Sequence, residues 1–103
     1  MSVESTLREA IRDRSPVSLH YATTGSAPRT VHPHVLFRAA GGEIFLDAYQ
    51  VAGPTSSGER VPVWRQMNLV GITAIELLGG EFAAAPDFNR AADKYSAGLI
   101  ASV

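Results

Sequence analysis

The 103 residues, 46% hydrophobic and 18% charged, suffice for one domain with a buried core and exclude both a second domain and a disordered chain. Cysteine is absent, which excludes disulfides, a thiol nucleophile and thiolate metal sites and suits the cytoplasm as the expected compartment. A formal net charge of −1 supplies no global field for nucleic acid or an anionic membrane, no apolar run approaches the roughly 20 residues of a membrane span, and Met1-Ser2-Val3-Glu4 lacks the basic-then-apolar start of a signal peptide.

Along the chain, Val3, Leu7, Ala10 and Ile11 recur at helical spacing behind the candidate caps Ser2 and Ser5. They predict one amphipathic helix over about 3–14, stopped by Pro16. The period then changes. Val17, Leu19 and Tyr21 alternate with Ser18 and His20 as a half-buried strand, and Thr23 to Pro28 reads as a hairpin loop. A second strand covers Arg29 to Ala39, with Val31, Val35 and Phe37 on one face and Thr30, His32, His34 and Arg38 on the other. Pro33 marks an edge or bend within it. Gly41-Gly42 makes a tight turn into a third strand, Glu43 to Ala52.

A Pro/Ser/Gly loop from Gly53 to Glu59 leads to a fourth strand, about Arg60 to Asn68, and a fifth spans Ile72 to Leu78. An extended tail follows from Phe82 to Phe88, then a helical turn over Arg90 to Ser96 and an apolar end, Leu99 to Val103. One helix and five short strands predict a mainly β (α+β) fold, a small five-stranded barrel with one N-terminal helix. Its core would hold Leu19, Val31, Val35, Ile44, Leu46, Ile75 and Leu77, with Leu7 and Ile11 packing the helix onto it. A single domain would cover 1–103, with the barrel over about 16–79 and the tail over about 80–103. No helix-turn-helix is present, because only one helix has useful length.

Certain stretches resemble a known family. Val17-Ser18-Leu19-His20-Tyr21, then Arg29-Thr30-Val31-His32-Pro33-His34-Val35-Leu36 and the Gly41-Gly42 turn are similar to the opening of WYL domains. Ile44-Phe45-Leu46, followed by Asp47-Ala48-Tyr49, stands where that family has Trp-Tyr-Leu. Arg65-Gln66-Met67-Asn68-Leu69-Val70-Gly71-Ile72 resembles its Arg-x-Phe-Arg-Leu-Asp-Arg-Ile stretch, with Asn68 and Gly71 in place of two arginines. The resemblance covers about residues 4–90. It implies an Sm-like barrel of the Src-homology-3 type and a ligand-sensing role, often toward nucleic acid or nucleotides, in bacterial regulators. Such proteins usually carry a winged helix-turn-helix ahead of the domain, so this chain reads as a stand-alone WYL-like domain.

Arg29, His32, Arg65, Tyr21, Tyr49 and Trp64 are the candidate ligand-binding residues. Arginine clamps phosphate or carboxylate through its planar fork, and Tyr and Trp offer stacking faces to a base. The expected partner is an anionic or nucleotide-like ligand or a short single-stranded nucleic acid. The alternative is a protein-interaction or homodimerisation module without a small ligand. Three histidines, His20, His32 and His34, suggest zinc, yet only Asp47 offers a carboxylate beside them. No catalytic metal or other cofactor is expected. No Gly-x-Ser-x-Gly elbow, paired carboxylates, phosphate loop or dinucleotide fingerprint occurs, and Thr24-Gly25-Ser26 and Ser56-Ser57-Gly58 are loop composition. A binding function is expected, not an enzyme.

Overall fold

The change of hydrophobic period at Pro16 separates a helix from a sheet. The computed structural model describes residues 2–21, 27–55 and 58–103; most of the predicted Thr23–Pro28 loop and Ser56-Ser57 lie outside them. Helix α1 spans Val3–Asp13. Its N-terminus is capped by Ser2, whose hydroxyl accepts the Ser5 N–H at 3.0 Å. At its end Arg14 turns left-handed, with φ 53°, a conformation that costs a non-glycine residue about 1 kcal/mol. The Arg14 and Ser15 N–H groups bond back to the carbonyls of Ile11 and Ala10, which offsets that cost. Leu7, Ala10 and Ile11 are buried against the sheet, as the helical spacing predicts.

Six strands follow: β1 (Val17–Tyr21), β2 (Arg29–Arg38), β3 (Ile44–Ala52), β4 (Val63–Asn68), β5 (Ile72–Leu77) and β6 (Leu99–Ser102). β4 begins later than expected because Pro62 has no N–H to enter a ladder. All pairs are antiparallel, in the order β4-β3-β2-β1-β5, with β6 off this path on β2. The long β2 therefore has two partners on one side. β1 takes its first half through Val31, Thr30 and Arg29, and β6 takes its second half through Val35, Leu36 and Phe37.

The predicted barrel does not close, because no pairing joins β4 to β5 among the described residues. The sheet is strongly curved nonetheless. Laid flat, the outer strands of a five-strand row would stand about 19 Å apart. Here a three-residue 3₁₀ turn, Leu69–Gly71, joins β4 to β5, and such a turn advances only about 2 Å per residue.

A bulge within β2 decides which side chains enter the core. Pro33 pairs with Ala48 but Val35 pairs with Asp47, leaving His34 as the extra residue. Val31 points into the main core before the bulge and Leu36 after it. Val35 and Phe37 are carried to the opposite face, where they cluster with Tyr95. The expected grouping of Val31, Val35 and Phe37 on one face is thus corrected. The main core joins Leu7, Ile11, Val17, Leu19, Leu46, Met67 and Phe82. Ile44, Ile75 and Leu77 pack only at its margin, partly buried.

The bulge also buries His34, expected on a solvent-facing side, to 0% exposure. Its Nε2 accepts the Ala85 N–H at 3.0 Å. Nδ1 therefore carries the proton and donates to the His32 carbonyl at 2.7 Å. This neutral ring pins the tail to β2. The apolar end of the chain is an unpredicted sixth strand, seated by a close approach at Gly98, where a Cβ would fall 2.1 Å from the Arg38 carbonyl oxygen. Arg90 then grips the Val103 carbonyl at 3.1 and 2.7 Å.

Leu46 is 0% exposed, so Leu46→Ala should cost about 2 to 5 kcal/mol in a urea titration, and Ile75→Ala less. A Leu46→Ala loss below about 1 kcal/mol would contradict this packing. Stability should also fall in mild acid. Burial holds the His34 pKa below its usual 6.5, so the unfolded chain takes up the proton first. The contribution of neutral His34 is complete above about pH 6.5 and is lost toward the lower folded pKa, at up to about 1.4 kcal/mol per pH unit. His34→Gln should be less stable at neutral pH and should show a flatter dependence of the urea midpoint on pH. An equally steep profile in that variant would assign the effect elsewhere.

Candidate functional site

Strand alternation sorts the six sequence-selected residues onto two faces. In β4, Trp64, Gln66 and Asn68 alternate with Val63, Arg65 and Met67, and Met67 belongs to the core. Trp64 is level with Tyr49 in β3, and Tyr49 with His32 in β2. These three therefore form one cross-strand row on the outer face. Arg29, Tyr21 and Arg65 lie on the inner side, at one end of the core.

Of the inner group, Arg29 is enclosed, while Tyr21 and Arg65 are partly buried. Arg29 is 1% exposed, with Nη1 donating to Gln50 Oε1 at 3.4 Å and its guanidinium 5.4 Å from the Tyr21 ring centre. Gln50 is fixed in turn, its amide nitrogen donating to the carbonyls of Ala52, Gly53 and Pro54. Burial and the nearby Arg65 charge both lower the Arg29 pKa. Arg65 is paired with Glu59 at 2.8 Å. The Tyr21 hydroxyl accepts the Asn68 N–H at 3.2 Å, and its ring lies where a side chain on Gly71 would be, 2.7 Å from the Cβ position.

The outer row is roofed by the tail. The His32 ring stacks on Phe82 at 4.7 Å with a 7° interplanar angle. Trp64 meets Tyr49 at 5.3 Å, His34 at 4.8 Å and Phe88 at 6.1 Å between ring centres. The Trp64 indole N–H donates to both Asp87 carboxylate oxygens at 3.0 Å, which ties the tail across β4.

Between this roof and strands β3 and β4 lies a pocket of about 440 Å³, within the usual range for small-ligand sites. Trp64, Phe88 and Tyr95 give it aromatic walls, and Asp47, Gln66 and Lys94 give it polar groups. Arg65 and Asp87 also border it. Asp47 is 4% exposed. Its Oδ2 accepts the Tyr95 hydroxyl at 2.6 Å and pairs with Lys94 Nζ at 2.6 Å. Burial, then the hydrogen bond to Asp47, raises the Tyr95 phenol pKa, so it remains a donor. Asp47 Oδ1 is buried with no hydrogen-bond partner among the described residues.

The pocket thus brings together Trp64 and Arg65 from the sequence-selected set and leaves Arg29, His32, Tyr21 and Tyr49 outside its lining. Sequence reasoning missed Lys94, Tyr95 and Phe88, and it weighed Asp47 only as a neighbour of histidines. The available signal was a carboxylate placed mid-strand among Phe45, Leu46, Ala48 and Tyr49, a position that demands a partner if buried. Among the described residues, no group of three or more His, Cys, Asp or Glu side chains is placed to hold a metal ion. No helix among them is long and apolar enough to cross a membrane.

Comparison with known proteins places this geometry. The chain is similar in fold to proteasome accessory factor B/C (PafBC) of Arthrobacter aurescens, with a TM-score of 0.64 and 22% identity over 84% of this chain. It spans only 13% of that protein's length. No curated protein matches the chain. The family model for the WYL domain matches residues 2–67, which include α1, the bulged β2 and the whole of β3. On that match, the chain belongs to the WYL domain family.

Proposed function

We propose that this WYL domain is a ligand-sensing regulatory module that binds a small ring-bearing molecule in the pocket between β3, β4 and the tail. The observation that carries this reading is the pocket itself, where Trp64 and Phe88 offer ring surfaces above a buried carboxylate. Two chemistries were expected of the ligand from the sequence. The stacking one is the better supported, since aromatic walls accept a flat ring such as a nucleobase. The anion-binding one draws its cations from Arg29, which is enclosed, and Arg65, which is held by Glu59. The role is binding without catalysis.

The alternative, an interaction or homodimerisation module, has four exposed large apolar side chains among the described residues to draw on: Val61, Val70, Leu78 and Leu99. They come from four separate stretches of the chain, and scattered apolar side chains are ordinary at a protein surface.

Trp64 is the only tryptophan in the chain, so its emission reports on the pocket directly. Titration with a panel of nucleobases, nucleotides, aromatic acids and aromatic amines should yield at least one saturable change in emission. Phe88→Ala should weaken that binding by about 5- to 50-fold, the order of one stacking contact. Arg29→Ala should lower stability and leave affinity nearly unchanged. The opposite pattern would move the ligand to the Arg29 end. A silent panel at millimolar concentration, together with self-association in ultracentrifugation, would replace sensing with the assembly reading.

A further inference from the structure

The pocket already contains a cation of the protein's own. Lys94 Nζ sits 2.6 Å from Asp47 Oδ2 and 5.3 Å from the centre of the Tyr95 ring. The Lys94 side chain is 51% exposed, whereas that of Asp47 is 5% exposed. A half-exposed surface ammonium therefore covers a buried carboxylate whose second oxygen has no hydrogen-bond partner among the described residues. The other carboxylate at the pocket, Asp87, is held by the neutral Trp64 N–H and forms no ion pair among the described residues. The remaining cation, Arg65, is taken by Glu59. Local charge thus favours a positive occupant.

We propose that the pocket selects an organic cation, a small molecule with a protonated amine or amidine on an aromatic body, whose N–H donors replace the Lys94 ammonium on Asp47 while its ring lies against Trp64 and Phe88. The inference rests on the ligand-sensing reading above. Selectivity follows from the exchange. Swinging Lys94 outward leaves a buried carboxylate uncompensated, which is costly. Only an incoming cation restores the pairing on Asp47. A neutral occupant gives up the ion pair, and an anion meets Asp47 and Asp87 unscreened. The aromatic walls favour a cation for a second reason, since ring faces attract positive charge.

The test uses the intact chain, Trp64 emission, and three probes of similar size: phenethylamine, phenethyl alcohol and phenyl phosphate. The amine should bind at least about tenfold more tightly than the alcohol. Lys94→Met should tighten amine binding by about 3- to 10-fold, because the amine no longer displaces a resident cation. Asp47→Asn should abolish the preference of amine over alcohol. Lys94→Met alters a half-exposed side chain and keeps the test decisive if Asp47→Asn fails to fold. Preferential binding of phenyl phosphate, or weaker amine binding in Lys94→Met, overturns the cation assignment and leaves the ligand-sensing reading standing. No response of Trp64 to any of the three probes also overturns the cation assignment, and the wider panel then decides the sensing reading separately.

Discussion

One neutral imidazole holds the two parts of this molecule together. His34 is the surplus residue of the β2 bulge, so its ring enters a space that regular alternation would not give it. One nitrogen donates to the carbonyl two residues earlier, and the other accepts a tail N–H 51 residues later. Phe82, Phe88 and Trp64 then pack around the ring. This anchor acts together with the Trp64–Asp87 bonds and the His32–Phe82 stack to keep the tail across the outer face and the pocket roofed. A buried ring with both nitrogens satisfied is also intolerant of protonation, because an imidazolium has no acceptor for the Ala85 N–H.

The bulge further explains why the domain has two working faces. Before Pro33 the strand feeds Val31 to the main core, and after it Leu36 takes over. Val35 and Phe37 are released to build a second cluster with Tyr95. That cluster positions the Tyr95 hydroxyl over Asp47, so the floor of the pocket depends on the same dislocation as its roof. The inner end, with Arg29 packed against Tyr21 and Gln50, is a closed polar plug in the curved sheet.

Much of the architecture was legible in the sequence because it is local. The helix from Val3, the strand beginning at Val17 and the turn at Gly41-Gly42 follow from spacing and turn chemistry within a few residues. Pro33 was readable as an irregularity, but a missing donor does not tell whether a strand bends, ends or gains a residue. The choice fell to contacts with Asp47 and Ala48 of β3. For the same reason Arg29 read as a ligand contact, whereas its alternation with Val31 carries it inward. The Asp47–Tyr95–Lys94 cluster was the least legible. It joins positions 47 and 48 residues apart, and β6, which holds the tail beside it, is only four residues long.

β6 and the pocket roof belong to one stretch of chain that follows β5. This gives the pocket a mechanical connection to the end of the domain. A molecule that binds only while the tail is docked raises the free energy of undocking by RT ln(1 + [L]/Kd), although it never touches β6. Occupancy would then be felt as rarer fraying of the ladder between Val35–Phe37 and Leu99–Ser102. Under the proposed ligand-sensing function, the hold of the last strand on β2 would convert a concentration into a structural state.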